Sequence, residues 1–415
     1  MGNESVPSFV LDYLKNVLGE EYLDGHTCEG VKSAQQRVWI LGFGGGNPPN
    51  LADPSWDQAL MAGKNKLVVR MWKAGARWWN LHGHIVDSDI HPVLELARAE
   101  TRAYQIARRT LPALHIPPLL HFDDTTNTSP WAIFGYVGYT SIYFDTKIRP
   151  CSYWIDGMIK VRPEFGFDEP HPRWGRVPET QCLEYTLMVL NAVTVPLHQS
   201  IYAISSGLDW TDLAAQNNTP RTYSSMVQLY QKAHTKMVQR LSDGDNNNRL
   251  QRVMSVLQKC IEALQEHASG VVLLDPVLVH MDCQPQNLLW GKDDDTDAYV
   301  ISSVLDWEEA AYADPRFELL LLGRKVCANR AQAQVIWEAY EKAEPSLGPI
   351  LPWLRLETVH SLCTLLLQAI FGGGRSPWET QPDLWGKITR EFHRLVENGW
   401  GFCEGALDND DSRNQ

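Results

Sequence analysis

Residues 277–307, VLVHMDCQPQNLLWGKDDDTDAYVISSVLDW, hold a histidine, two aspartates and an asparagine in an order that chemistry can use. An apolar run from Pro276 to Val279 delivers His280 and Asp282. Asn287 follows, ahead of Leu288, Leu289 and Trp290, and a polar turn from Gly291 to Asp297 leads into a β-rich run, Tyr299 to Leu305, that ends on Asp306 and Trp307. Phosphoryl transfer requires one carboxylate to orient the attacking hydroxyl and receive its proton, and oxygen ligands to hold Mg²⁺ on the nucleotide phosphates. The pattern assigns the first task to Asp282 and the second to Asn287 and Asp306, with His280 bracing the loop. An H-x-D or a D-W alone is common by chance; the two together, each behind a strand signal, are not. Asp293, Asp295 and Asp297 open like a calcium loop, but Ala298 and Val304 stand where that loop needs Gly and Glu, so they read as a solvated hairpin tip.

The stretch VHMDCQPQNLLW followed by SSVLDWEEAAYADPRFELLLL resembles the catalytic core of the aminoglycoside phosphotransferase and choline kinase-like family. That family's pattern runs HxDxxxxN, a hydrophobic strand ending I/L-D-W-E, a spacer, Asp-Pro and an apolar helix. Its last elements here are Asp306, Trp307 and Glu308, then Asp314, Pro315 and Leu319 to Leu322. The resemblance is specific over about residues 275–325 and weaker before them. It implies an α+β, protein-kinase-like two-lobe fold, with a small antiparallel β-sheet N-lobe carrying one long helix and a larger, mostly α-helical C-lobe. The implied activity moves the γ-phosphoryl group of ATP or GTP, with Mg²⁺ as cofactor, to a hydroxyl of a small molecule. Gln284 stands where protein kinases usually place Lys after the catalytic Asp, which favours a small acceptor over a protein. Kinases of protein or sugar-modified amines, and a nucleotide-binding pseudokinase, are the competing readings.

The expected division is a nucleotide-binding lobe at 1–138, a catalytic and substrate lobe at 139–405 and a solvated tail at 406–415. A net charge of −13 argues against nucleic acid and is compatible with an amine-bearing acceptor. Charged residues make up 21% and hydrophobic ones 44%, as in ordinary globular proteins. No apolar stretch is long enough to span a bilayer, and the N-terminus lacks the pattern of a secretory signal. MGNESV fits the myristoylation pattern only in part. Eight scattered cysteines without a C-x-x-C suggest free thiols in a cytoplasmic protein. The sixteen tryptophans read mostly as core or interface packing.

Other segments must position this chemistry. Residues 7–23 have helical periodicity, and Arg37 to Phe43 reads as a strand after the turn that should lie over the phosphates, where Ser33, Gln35 and Gln36 are the candidates. Gly42-Phe-Gly-Gly-Gly46 lacks the spacing of a phosphate loop and reads as an inter-strand connection. Lys66 to Trp72 is a strand that brings a cation to the α/β-phosphates, from Arg70 or Lys73; the resemblance favours Arg70. Helix 91–110 should supply its partner from Glu95 or Glu100, and the family's R-E-x-x-x-Y context favours Glu100. Pro117 to Phe122 and Trp131 to Val137 read as strands, the latter running into a hinge for the purine. The irregular segment 141–178 reads as a substrate-side loop or a structural insertion; in the first case Glu164, Asp168 and Glu169 are carboxylates for an ammonium group, in the second an exposed loop face. Helices are expected at 179–198, 221–242, 247–268, 329–343, 354–371 and 383–398.

Overall fold

The computed structural model describes residues 5–31, 36–44, 51, 53–72, 93–125, 129–137, 179–199, 222–242, 248–283, 287–292, 299–325, 330–345, 347–371, 383–397 and 399–400. Its small lobe is built on β1 (Thr27–Val31), β2 (Gln36–Gly42), β3 (Lys66–Trp72), β4 (Leu119–Asp123) and β5 (Trp131–Gly135). They form one antiparallel sheet of order β1-β2-β3-β5-β4. Strand periodicity sends alternate side chains to opposite faces. Leu67, Val69 and Met71 of β3, with Trp131 and Ile133 of β5, meet α1 (Ser8–Leu18) and α3 (Pro54–Ala62) in one core. Arg70 and Trp72 face the other way, toward α4 (Val93–Thr110), whose buried Ala97, Ala103, Tyr104, Ile106 and Ala107 belong to a second core that runs on into the large lobe.

The periodic run 7–23 is two helices, α1 and the single turn α2 (Glu20–Leu23), because Gly19 takes φ 89° between them. Helix α3 lies between β2 and β3, where the sequence reading set no helix. Its start carries a clear signal: the Asp53 side chain accepts the N–H of Ser55 at 2.9 Å, and Pro54 occupies the first turn.

The large lobe contains α5 (Glu179–Val189), a π-helical stretch (Leu190–Thr194) and a last turn (Val195–His198), then α6 (Tyr223–Ser242) and α7 (Asn248–Ala268). After a further set of short strands come α8 (Arg316–Lys325), α9 (Arg330–Glu341), α10 (Leu351–Phe371) and α11 (Asp383–Glu397). Pro352 lies within the first turn of α10, where a proline costs no hydrogen bond, so that helix begins before the expected 354. Between α7 and α8, β7 (Leu288–Lys292) and β8 (Tyr299–Val304) form the anticipated hairpin. The strand before the H-x-D, β6 (Val277–Val279), pairs instead with an unforeseen β9 (Ala311–Ala313).

Two hydrogen bonds fix the hairpin against the segment after α4. The N–H of His115 donates to the Ser302 carbonyl at 2.7 Å, and the Ser303 hydroxyl donates back to the His115 carbonyl at 2.8 Å. Just past β9, the buried Arg316–Asp314 ion pair (2.5 Å) sits over the Trp353 ring, 4.2 Å from its centroid. Asp314 also accepts the N–H of Leu274, and Arg316 donates to the carbonyls of Val272 and Leu347, so both charges are neutralised by structure. Among the described residues no helix is long and apolar enough to cross a membrane.

Candidate active site

The chain leaves β6 through His280 into Met281, whose φ is 65°. Left-handed backbone is uncommon for a residue with a side chain, and surrounding bonds hold it here. The N–H of Met281 donates to Glu318 Oε2 at 2.9 Å, on a carboxylate that α8 buries to 2% exposure. His280 is fully buried; its Nε2 donates to the Leu305 carbonyl at 2.9 Å, and its Nδ1 accepts the N–H of Asp282 at 3.2 Å. This places the ring proton on Nε2 and leaves neither nitrogen to take a proton from a substrate. Trp307 lies against the imidazole, 4.5 Å between centroids. His280 therefore ties the loop of Asp282 to the end of β8. Glu318→Ala strips Met281 of its acceptor and should lower the unfolding free energy by about 1–3 kcal/mol, whereas Glu318→Gln, which keeps an oxygen there, should recover most of it in a chemical denaturation series.

Asp282 is half-buried beyond this turn. The Asn287 amide nitrogen donates to the Asp282 carbonyl at 2.9 Å and to its Oδ2 at 2.8 Å. This double donation fixes the amide, so Oδ1 is the Asn287 atom left for a cation. The backbone carbonyl of Asn287 accepts the N–H of Leu305 at 2.7 Å, which brings the third residue close. That residue, Asp306, is also left-handed (φ 62°, ψ 63°), and its N–H donates to the Tyr104 hydroxyl at 3.0 Å.

Arg70 reaches this point from β3. Its Nη1 pairs with Glu100 at 2.5 Å, and its Nη2 pairs with Asp306 Oδ1 at 2.9 Å and with Glu308 at 3.6 Å. The second oxygen of Glu100, a residue 1% exposed, accepts the Trp72 indole N–H at 2.9 Å. Burial opposes the charge of Arg70, but Glu100 and Asp306 outweigh it and hold the guanidinium's pKa above its ordinary value. Burial, with Asp306 beside it, pushes the Glu308 carboxyl up to about 9. The carboxylates of Glu100 and Asp306 thus converge on one guanidinium with the Glu308 carboxyl beside them, and Asp306 and Asn287 bring oxygen donors to the end of β8 and the start of β7. These hard oxygen donors are the kind Mg²⁺ takes.

The structure brings together Asp282, Asn287, Asp306, Arg70 and Glu100. Ser33, Gln35, Lys73 and Gln284 lie outside the described residues, as do Glu164, Asp168, Glu169 and the whole of 141–178; of Gln36, which opens β2, and of Glu95 only the backbone is described. Cys283 is buried. Tyr104, Glu308 and Glu318 were not among the sequence candidates. Tyr104 follows Glu100 by one helical turn and Glu318 stands ahead of four leucines, but neither spacing names the backbone group that each side chain accepts from.

Residues 210–350 match the phosphotransferase enzyme family. No curated protein matches the chain. A Plasmodium vivax ethanolamine kinase is similar in structure with 10% identity and a TM-score of 0.52, over 98% of this chain and 92% of its own. The ADP-bound aminoglycoside phosphotransferase APH(2'')-Ib follows with 10% identity and a TM-score of 0.51, over 94% of this chain and 99% of its own. A GDP and kanamycin complex of another APH(2'') enzyme gives 11% identity and a TM-score of 0.50, over 94% and 98%. At such identities the likeness is one of fold. The chain has the protein-kinase-like, two-lobe α+β fold of the aminoglycoside phosphotransferases and ethanolamine kinase, and over residues 210–350 it carries the phosphotransferase family's sequence pattern.

Proposed function

We propose that the protein is a small-molecule kinase that transfers the γ-phosphoryl group of ATP or GTP to a hydroxyl group. The observation that carries this reading is the clamp in which Asn287 holds the Asp282 carboxylate while the paired hairpin sets Asp306 beside the Arg70–Glu100 pair. Asp282 orients the acceptor hydroxyl and takes its proton as the hydroxyl oxygen bonds to the γ-phosphorus. The bond to the β–γ bridging oxygen breaks, and nucleoside diphosphate leaves. Asn287 Oδ1 and the Asp306 carboxylate would hold Mg²⁺, which supplies charge neutralisation on the phosphates when bound. Arg70, kept charged and in place by Glu100, serves the α/β-phosphates, and the backbone around Ser33, Gln35 and Gln36 covers them. The net charge of −13 is compatible with an amine-bearing acceptor, for which Glu164, Asp168 and Glu169 would be the carboxylates, and the scattered cysteines suit the cytoplasm as the setting.

Asp306→Asn removes a full ligand charge beside a divalent ion and a polyphosphate. Thermal-shift titration of Mg²⁺ at fixed ATP, repeated with GTP, should show a higher metal requirement for the variant; an unchanged curve would make Asp306 a structural residue. Competing amines should inhibit more strongly at low ionic strength than at high, since salt screens partly exposed charge pairs.

A further inference from the structure

We infer that Tyr104 is a positioning residue for the metal-binding edge of the site: its hydroxyl holds the backbone N–H of Asp306, and with it the left-handed turn that aims the Asp306 carboxylate. The inference rests on the reading of Asp306 as a metal-binding group given above. The β7–β8 ladder ends at the pair Leu288 and Val304, and the next N–H, that of Leu305, still finds the Asn287 carbonyl at 2.7 Å. One residue later the backbone turns to φ 62°, away from the ladder, and the N–H of Asp306 points into the interface with α4. A buried N–H without an acceptor is costly, and the acceptor here is the phenol oxygen of Tyr104 at 3.0 Å.

The phenol is itself held. Tyr104 is 5% exposed, with its ring 4.8 Å from Phe134 and 6.3 Å from Trp307, so the hydroxyl has little room to move. Glu100, one turn earlier on α4, holds Arg70, whose Nη2 bonds Asp306 Oδ1. Helix α4 thereby grips Asp306 twice, through its backbone by Tyr104 and through its carboxylate by the Glu100–Arg70 pair. The second grip faces competition when Mg²⁺ and phosphates bring charges to Asp306 and Arg70. The first involves no charged group and persists through binding. It therefore fixes where the carboxylate stands as the cation arrives.

Tyr104→Phe keeps the ring and removes only the hydroxyl. In the full-length protein, calorimetric binding of a non-hydrolysable ATP analogue should show its half-saturating Mg²⁺ concentration raised about three- to tenfold, the equivalent of one ordinary hydrogen bond, while metal-free affinity for the analogue stays at the wild-type value. A purely structural tyrosine would lower thermal stability and leave the Mg²⁺ titration superimposable on wild type, and that result overturns the inference. Asp306→Asn run alongside separates the two levels. If it raises the Mg²⁺ requirement and Tyr104→Phe does not, only the role of Tyr104 falls; if it does not, the metal reading of Asp306 falls with it. Hydrogen exchange at the Asp306 amide of the wild-type protein gives a test that needs no variant. Protection is expected, and exchange at the rate of an open loop would contradict the bond.

Discussion

Asp282→Ala should leave the chain folded and able to bind nucleotide while turnover on its true acceptor falls by about 10²- to 10⁴-fold. The Asp282 carboxylate takes one bond of its loop, from the Asn287 amide. The turn is also fixed by Glu318 on Met281, by His280 on Leu305 and by the Asn287 amide on the Asp282 carbonyl, all of which survive removal of the carboxylate. What is lost is the proton acceptor and the anchor that Asn287 holds 2.8 Å away. Single-turnover rates beside nucleotide affinity separate the two effects. A variant that kept the wild-type rate would assign the proton transfer elsewhere, and one that lost nucleotide affinity to the same degree would make Asp282 part of the binding site.

The second large effect is on stability. Arg70→Met removes the guanidinium that pairs with Glu100, a residue 1% exposed, and with Asp306. Breaking a buried pair from one side typically costs about 3–5 kcal/mol, because the remaining charge is uncompensated. By contrast, the exposed pair of Arg98 with Asp124, at a similar 2.7 Å, should be worth about 1 kcal/mol or less. Distance alone does not rank them; burial does. Adding Glu100→Gln to Arg70→Met should recover much of the loss, and Arg70→Lys should fall between, since an ammonium does not span Glu100 and Asp306 as a guanidinium fork does. Urea denaturation of the three variants checks this. Equal stability of Arg70→Met and wild type would mean that the carboxylates are neutral in the folded protein.

Much of this site was legible because its parts are local. The H-x-D-x-x-x-x-N run, the hairpin and the terminal Asp-Trp lie in one short stretch, where spacing and strand signals constrain each other. Arg70 and Glu100 were legible by resemblance, each as one of two alternatives, and strand alternation explains the choice of Arg70: it shares with Trp72 the face that meets α4. What stayed hidden depends on contacts far apart in sequence. The β6–β9 pairing joins two three-residue strands too short to carry a pattern. Tyr104 read as one more apolar position on α4, because a tyrosine that packs and a tyrosine that packs and also accepts a backbone N–H are the same letter. Glu318 stands ahead of four leucines, with nothing in the sequence to pair it with the distant Met281. Helix α3 differs: its start is marked locally, by Asp53 and Pro54.

The most direct test of the central claim follows the γ-phosphate itself. The wild-type protein, with Mg²⁺ and γ-labelled ATP and then GTP, is incubated with amino alcohols, aminoglycosides, neutral sugars and peptides, and the products are separated and counted. The label is expected in a small hydroxyl compound, with the amine-bearing ones preferred, and in none when Asp282→Ala replaces the wild type. Label that passes only to peptides, or label that never leaves a nucleotide the protein demonstrably binds, would contradict it.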